Sequence, residues 1–263
     1  MAISKSAMVA HQKALDLVRS DKQLTQDEVE FVFENFQEGA DASTRIVGAH
    51  FTPAELASDL AANIDAAFYV DLFAGIGRLT RSVLDFYAWP GKRQAVCVEL
   101  NPTFIEVGKR LVPEAHWIQA DLLRVDAADT IGKAIAELGW PIGNRGLGII
   151  SNPPYGNGKL DGQQGVQIEY QAIEIGAALG AFAGAFIIPQ QRCPFIYSGH
   201  RNYRHTGGDR AYHNFTRRTG LTIGMNAGID TSCYRKQWKG VSPQVEIAIV
   251  EYPEIAANLR AAA

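Results

Sequence analysis

The clearest structural signal in this chain lies in residues 68–87, which read FYVDLFAGIGRLTRSVLDFY. An apolar run up to Asp71 predicts a buried strand, and the spaced apolar residues after Arg78 predict a helix. Gly75 and Gly77 lie between the two, where a short turn needs residues that accept positive φ. The helix then offers free N–H groups to an anionic ligand. The pattern fits a dinucleotide site, a site for another nucleoside-type cofactor, or a tight turn without a ligand.

The same succession of strand, turn and helix continues along the chain. We predict strands at residues 68–73, 94–99, 116–120, 146–151 and 183–189, and helices near residues 78–87, 102–111, 127–138 and 167–180. Near-continuous apolar strands that alternate with amphipathic segments indicate a parallel sheet covered by helices on both faces. Two later apolar stretches, 221–228 and 245–252, lie close enough to pair antiparallel. The sequence therefore predicts an α/β fold whose last strands run antiparallel.

The first 45 residues form a different kind of segment. Residues 7–18 carry spaced apolar side chains, and Thr25 with Glu28 predicts a capping box at the start of a second helix. We therefore divide the chain into an N-terminal helical segment, residues 1–45, and a larger α/β domain, residues 46–263. The roles open to the helical segment are a homodimerisation arm, a lid, or a contact for a partner subunit.

Length and composition exclude several classes of protein. The chain has 263 residues, 47% of them hydrophobic and 20% charged, which is enough for a large core and unlike a disordered polymer. No apolar run reaches the roughly 18 residues of a membrane span, and the N-terminus lacks the apolar core of a secretory signal. We expect a cytoplasmic protein without membrane contact. Cys97, Cys193 and Cys233 have no paired spacing, which argues against disulfides and structural zinc, and we expect no metal.

Positive charge is concentrated in one part of the chain, residues 192–240, which we call the basic segment. The net charge of the chain is −3, but nine Arg or Lys against two acids give this segment +7 and leave −10 for the rest. Histidines and aromatic residues are interleaved with these cations. Basic side chains neutralise phosphates and aromatic rings stack on unpaired bases, although a charge run by itself is more often a solvated loop. Because this segment directly follows the last predicted parallel strand, we favour substrate contact with nucleic acid. Arg217 and Arg218 are the candidate contacts.

Two acids follow neighbouring predicted strands. Glu99 ends the second strand, where its carboxylate could accept both hydroxyls of a ribose, and Asp121 follows the third, where it could accept from an adenine amine. Parallel strands that end at one edge bring such residues into one ligand-binding crevice. The competing interpretation of each acid is a helix cap or turn residue. Thr80 stands where a dinucleotide site has its third glycine, which disfavours a dinucleotide.

A proline-stiffened turn follows the fourth predicted strand and reads SNPPYG, residues 151–156. Two consecutive prolines cannot continue a helix or a central strand, so they hold the chain rigid at the end of the sheet. The Asn152 side-chain oxygen and the Pro153 carbonyl are two acceptors that could bind both hydrogens of a planar amine. Tyr155 could stack on the ring that carries that amine. The alternative is a structural turn with an incidental Asn and Tyr.

Together these motifs resemble one family. The glycine turn at residues 71–77 and Asn-Pro-Pro-Tyr at residues 152–155 look like those of S-adenosylmethionine-dependent amino-methyltransferases, above all the DNA adenine-N6 family. His-Phe-Thr-Pro at residues 50–53 resembles the family's additional cofactor motif, and its upstream place gives a gamma-like motif order. The resemblance covers residues 46–190 and the closing strand pair. It implies S-adenosylmethionine as cofactor and a Rossmann-like methyltransferase fold with a mostly parallel seven-stranded sheet and a C-terminal antiparallel strand.

The resemblance also implies roles for individual residues. The cofactor residues that it implies are Asp71, Phe73, Gly75 and Gly77 for the turn, Glu99 for the ribose hydroxyls, Asp121 for the cofactor adenine and Thr52 for the methionine carboxylate. It assigns the target amine to Asn152, Pro153 and Tyr155. Family members also place an aromatic ring against the flipped base, and the candidates for this are Tyr234, Trp238 and Phe195.

The function that this resemblance implies is methyl transfer from S-adenosylmethionine to the N6 amine of adenine in DNA. Relatives usually carry a large sequence-reading domain, whereas 108 residues follow Tyr155 here, so we expect short or relaxed sequence specificity. The resemblance implies a restriction–modification role, with protection of a mobile element and regulation as the open alternatives. The alternatives are an RNA adenine-N6 methyltransferase, a protein-glutamine N-methyltransferase, and a non-catalytic nucleic-acid-binding protein. Cytosine-C5 methylation is disfavoured because Cys193-Pro194 reverses the Pro-Cys order that it needs.

Overall fold

The computed structural model describes residues 3–37, 39–40, 50–86, 93–140, 146–160 and 163–253. Its helices are α1 (Lys5–Arg19), α2 (Gln26–Asn35), α3 (Ala54–Ala61), α4 (Arg78–Phe86), α5 (Pro102–Leu111), α6 (Ala127–Glu137), α7 (Ile168–Ala178) and α8 (Arg210–Thr219). Its strands are β1 (Phe68–Leu72), β2 (Gln94–Glu99), β3 (His116–Gln119), β4 (Leu147–Ser151), β5 (Asn157–Leu160), β6 (Gln163–Gln167), β7 (Ala183–Pro189), β8 (Phe195–Ile196), β9 (Arg204–His205), β10 (Gly224–Met225) and β11 (Val245–Glu251). The boundary predicted between residues 45 and 46 lies outside the described residues.

Seven of the strands form one sheet in the order β10-β11-β7-β4-β1-β2-β3. The five strands from β7 to β3 are parallel, and β11 runs antiparallel to β7 and to β10. The predicted α/β fold, with its mostly parallel sheet and antiparallel closing strand, is confirmed. The predicted strand at 221–228 is shorter in the structure, because within it only Gly224–Met225 pairs with β11. The parallel strands all end at one edge, which we call the carboxyl edge.

Helices cover both faces of this sheet, and the burial of the central strands follows from that. Every residue of β4 is buried, as are the last four residues of β1 and the last five of β2. The buried side chains fall into two hydrophobic clusters, one of which includes Tyr69 and Cys97 and the other Val70 and Val96. Alternate residues of one strand thus face opposite clusters, as the period of two in a strand requires.

The two N-terminal helices pack against the first of these clusters. The predicted capping box of α2 is present, since Thr25 Oγ1 accepts from the Glu28 N–H and the Glu28 carboxylate accepts from the Thr25 N–H. Phe36, just after α2, is 2% exposed, and its ring lies 6.0 Å from that of Phe51 and 6.2 Å from that of Phe104. The amphipathic face of this segment therefore covers the chain's own α/β core.

Several elements were not predicted from the sequence. Helix α3 buries four of its eight residues, and Pro53 precedes it at the N-cap position. The hairpin of β5 and β6 is polar and has no apolar alternation to reveal it. Helix α8 lies inside the basic segment, begins at the N-cap Asp209 and ends at Gly220, whose φ is 73°. The high charge of α8 hides the helical spacing of its two buried residues, Tyr212 and Phe215.

Candidate active site

The glycine turn after β1 is left-handed at three positions. Phe73, Gly75 and Gly77 have φ of 60°, 56° and 90°. Such a conformation is strained for Phe73, since residues other than glycine rarely adopt it. A Cβ at Gly75 would come within 3.1 Å of the Phe51 ring, and one at Gly77 within 3.1 Å of Trp117. Both glycines are therefore required by conformation and by space, and Gly75 lies on the cleft side of the turn.

Asp71 lies beneath this turn, where it fixes the start of α4. Its Oδ2 accepts hydrogen bonds from the Thr80 N–H at 3.1 Å and from Thr80 Oγ1 at 2.7 Å. Its Oδ1 is buried and has no hydrogen-bond partner among the described residues. Burial raises the pKa of Asp71 to about 7. Asp71 thus supports the turn from below, while Phe73 and Gly75 line the cleft above it.

Glu99 and Asp121 both line the cleft, at the ends of β2 and β3. Glu99 accepts from the Gly75 N–H through Oε2 and from two N–H groups of its own loop through Oε1, each at 2.9 Å. Burial raises its pKa, while these backbone donors oppose that shift. Asp121 Oδ1 accepts from the Leu123 N–H at 2.9 Å, as a turn residue does. The two carboxylates therefore have fixed orientations along one wall.

The cleft itself has an empty volume of about 980 Å³, counted out to its open mouth. The site residues predicted from the sequence that line it are Thr52, Phe73, Gly75, Glu99, Asp121 and Asn152. Around them the wall is mostly apolar, with Phe51, Val98, Leu122 and Ile168 among its residues. An apolar cleft with a few oriented polar groups, at the carboxyl edge of a parallel sheet, is where such folds bind small ligands.

Asn152 follows β4, and three hydrogen bonds fix its amide. Its Nδ2 donates to the His50 carbonyl at 2.9 Å and to Thr52 Oγ1 at 3.0 Å, and its Oδ1 accepts from the Tyr155 hydroxyl at 2.8 Å. Because both amide hydrogens are used, the amide oxygen has a defined direction. A carbonyl oxygen has two lone pairs, so Oδ1 can accept one further hydrogen bond. The adjacent Pro153 is buried and stiffens the turn.

Tyr155 lies between two aromatic side chains. Its ring centroid is 6.2 Å from that of His50 and 6.4 Å from that of Trp238, with Trp238 edge-on. Burial raises the pKa of Tyr155 well above its ordinary value, and the nearby Glu169 acts in the same direction. The Tyr155 hydroxyl therefore stays protonated and donates to Asn152.

The structure separates the three aromatic candidates for a base contact. Trp238 is 5% exposed and contacts Tyr155. Tyr234 is partly buried, and its hydroxyl donates to the Asp59 carboxylate on α3. Phe195 is 1% exposed and packs 6.0 Å from Tyr203 in the cluster on the other face of the sheet. Trp238 thus adjoins the Asn152 turn, whereas the Phe195 ring has no open face.

Arg217 and Arg218 lie at the far end of α8 from the cleft. The start of α8 is tied to the carboxyl edge, because its N-cap Asp209 forms an ion pair with Arg192 after β7. The other end packs along α7, where Arg218 forms a bidentate ion pair with Glu174. Glu174 is six residues along α7 from Ile168, or about 9 Å from the cleft wall. The structure does not bring these two arginines together with the cleft residues.

Two charged residues at the site were missed in the sequence reasoning. Glu169 lies in the first turn of α7 beside the Asn152 turn, is 1% exposed, and accepts from the Gly156 N–H, while burial raises its pKa. Arg78 lines the cleft, and its guanidinium bonds to Glu30 of α2. Two features of the sequence point to these residues. Glu169 is a carboxylate at the start of an otherwise apolar helix, and Arg78 directly follows the second glycine of the turn.

No described helix combines the length and the apolar character needed to traverse a bilayer. No group of three or more His, Cys, Asp or Glu in the described part of the chain is placed to hold a metal ion.

Neither a protein-family model nor a curated protein matches this chain. One similar structure is a type I restriction–modification system methyltransferase subunit from Streptococcus thermophilus, with a TM-score of 0.51 and 15% identity. The similarity covers 87% of this chain and 49% of that subunit, so the chain spans about half of the subunit's length. A Pyrococcus horikoshii protein suggested to be an RNA methyltransferase has a TM-score of 0.49 and 13% identity over 87% and 99%. A TehB-like S-adenosylmethionine-dependent methyltransferase from Corynebacterium glutamicum has a TM-score of 0.41 and 16% identity over 87% and 100%. The fold is the Rossmann-like methyltransferase fold.

Proposed function

We propose that this chain transfers a methyl group from S-adenosylmethionine to the exocyclic N6 amine of adenine in DNA. The observation that carries the proposal is the Asn152 amide. Its oxygen is oriented by three hydrogen bonds at the wall of a cleft that also holds two carboxylates. An oriented amide oxygen is an acceptor for an amine hydrogen, and the cleft suits a nucleoside.

The residues of the cleft fit S-adenosylmethionine. Glu99 would accept from the ribose hydroxyls and Asp121 from the adenine amine, and both are fixed by backbone N–H donors. Gly75 leaves room for close approach, since its missing Cβ would otherwise crowd Phe51. When bound, S-adenosylmethionine supplies an activated methyl group. The apolar wall around these carboxylates would exclude water from the reacting atoms.

The chain's own contribution to the reaction is to orient and polarise the target amine. Asn152 Oδ1 and the Pro153 carbonyl would each accept one amine hydrogen, and Tyr155 would stack on the base. An exocyclic amine is a poor nucleophile, because its lone pair is delocalised into the ring. Two fixed acceptors favour a nitrogen that carries developing positive charge, which lowers the barrier by electrostatic preorganisation. Orientation in line with the methyl group adds to this effect.

The basic segment supports a nucleic-acid substrate. It starts at the end of β7, at the same edge of the sheet as Asn152, and Arg201, Arg204 and His205 are exposed there. A paired base cannot reach the cleft, so a duplex target would have to be flipped out. One similar structure is a restriction–modification methyltransferase subunit, which favours DNA and a restriction–modification role over the alternatives.

The experiment that tests this function offers the protein four acceptors separately. Radiolabelled S-adenosylmethionine is incubated with duplex DNA, single-stranded DNA, RNA and a protein mixture, and the labelled polymer is digested and resolved by mass spectrometry. We expect label in DNA, as N6-methyldeoxyadenosine. Label in RNA adenine or in protein glutamine would replace the proposed substrate. A nucleic acid that binds without any transfer would point to the non-catalytic alternative.

A further inference from the structure

The charges on the cleft wall are unevenly distributed. Glu99 and Asp121 lie at the ends of β2 and β3, on one side of the cleft. Arg78 follows the glycine turn after β1, and Thr52 accepts from Asn152 after β4, so both lie on the side of the cleft away from β3 and Asp121. Neighbouring strands are about 4.8 Å apart, so Asp121 is roughly 10 Å from the turn that carries Arg78. Among the described residues that line the cleft, Arg78 is the only Lys or Arg.

Arg78 is held rigidly by the N-terminal helices. Its two terminal nitrogens donate to the two Glu30 carboxylate oxygens at 2.8 and 2.7 Å. The guanidinium carbon lies 4.0 Å from the centre of the Phe33 ring, so α2 fixes both the position and the plane of the group. The Arg78 side chain is 11% exposed. A guanidinium has five N–H donors, and Glu30 engages two of them, which leaves donors for a second anion.

The two ends of S-adenosylmethionine, the proposed donor, match this distribution of charge along the cleft. It has a nucleoside at one end and an amino acid, with a carboxylate, at the other. If Asp121 and Glu99 bind the nucleoside, the amino-acid end extends toward the side of the cleft that holds Arg78 and Thr52. The amino-acid end also carries an ammonium group, and in an apolar cleft a guanidinium beside its carboxylate adds strong charge-assisted hydrogen bonds.

We propose that Arg78, positioned by Glu30 and Phe33 of α2, binds the carboxylate of the methyl donor's amino-acid end. The inference rests on the proposed function, because it takes S-adenosylmethionine as the donor. It gives the N-terminal helices a part in donor binding, since α2 supplies both groups that hold the guanidinium. Glu30 is then a positioning residue for donor binding.

The experiment compares two ligands that differ in the carboxylate-bearing end. S-adenosylhomocysteine has the amino-acid end, and 5′-methylthioadenosine lacks it. Dissociation constants of both are measured calorimetrically for the wild type, Arg78→Gln and Arg81→Gln. Arg81 is a matched control on the same helix, where it forms ion pairs with Asp85 and Glu114. We expect Arg78→Gln to weaken S-adenosylhomocysteine at least tenfold and 5′-methylthioadenosine less than twofold, and Arg81→Gln to change neither.

Two further variants separate binding from folding. Arg78→Lys keeps a positive charge but loses the bidentate geometry. Glu30→Gln keeps the guanidinium but removes the carboxylate that orients it. We expect both to weaken S-adenosylhomocysteine selectively and less than Arg78→Gln does. Equal weakening of both ligands by these three variants would indicate a structural role and overturn the inference, as would unchanged affinity in Arg78→Gln. If the wild type bound neither ligand, the proposed function itself would fail.

Discussion

Asp71 is a carboxyl group in the middle of a parallel sheet, completely buried and raised in pKa to about 7. Burial disfavours its charged form, and the two hydrogen bonds from Thr80 only partly compensate. The folded protein therefore binds a proton here at a pH where an ordinary carboxyl, with a pKa of about 3.9, has lost it. The group that fixes the glycine turn thus makes the stability of the fold depend on pH.

Asp71→Asn isolates this contribution. Between about pH 4 and pH 7 the folded wild type holds more protons at this group than the unfolded chain, so its free energy of unfolding falls as pH rises. The amide that replaces the carboxyl group in the variant does not titrate. We expect the stability of the variant relative to the wild type to increase by about 3 kcal/mol from pH 4 to pH 8, measured by urea denaturation.

The matched control for this experiment is Asp85→Asn. The Asp85 carboxylate is half exposed on α4. The free energy of unfolding of Asp85→Asn relative to the wild type should change by less than about 1 kcal/mol between about pH 4 and pH 8, because a surface ion pair contributes little. A stability difference between Asp71→Asn and the wild type that did not vary with pH would contradict the raised pKa.

At this scale the sequence predicts residues at strand ends well and residues held by distant partners poorly. Gly75, Glu99 and Asn152 each follow a strongly apolar strand, and parallel strands bring their ends together. Arg78 depends on Glu30, which is 48 residues away and belongs to another helix. No local sequence pattern indicates which of several arginines lines a cleft, so the Arg78–Glu30 contact cannot be predicted from the sequence.

Among the elements, the basic segment shows what composition can predict and what it cannot. The excess of positive charge is evident from the sequence, but the direction of each cation depends on packing. Helix α8 lies along α7 through stacked Tyr170 and Phe215 rings, 4.6 Å apart, so its last turn leads away from the cleft. Arg204 pairs with Ile196, and the next residue, Tyr197, donates to Glu246, which lies beside the end of β7, so Arg204 is near the carboxyl edge. From the sequence we expect Arg217 and Arg218 to contact nucleic acid. From the structure we expect this contact from Arg201 and Arg204 instead.

This distinction can be tested with two double variants. We expect Arg201→Ala with Arg204→Ala to weaken DNA binding and to reduce the slope of log affinity against log salt concentration by about 2, since each phosphate contact contributes about 0.9. The matched pair, Arg217→Ala with Arg218→Ala, should change the slope by less than about 0.5. Fluorescence anisotropy at several salt concentrations measures both. The opposite ranking of the two pairs would place the nucleic acid along α8.

At the scale of the whole molecule, a mostly parallel sheet brings the polar residues of the cleft to its carboxyl edge, and the N-terminal helices pack over one face. Hydrophobic pattern predicted the sheet, because strands covered on both faces leave a continuous apolar signature. It also predicted the N-terminal helices, but an amphipathic face does not specify its partner. The contact is made by Phe36 against Phe104 and by Arg110, which donates to carbonyls at the end of α1 and beyond.

The role of the Asn152 amide in methyl transfer can be tested by a comparison of two asparagine variants. Methyl transfer to DNA and calorimetric affinity for S-adenosylhomocysteine are both measured for the wild type and Asn152→Ala, with the exposed Asn202→Ala as control. Loss of a single oriented hydrogen-bond partner of the transition state lowers rates by about a hundredfold or more. We predict at least that loss of N6-methyldeoxyadenosine in Asn152→Ala, with ligand affinity within about threefold of the wild type and Asn202→Ala unaffected. Near-normal transfer by Asn152→Ala would show that its amide does not take part in catalysis.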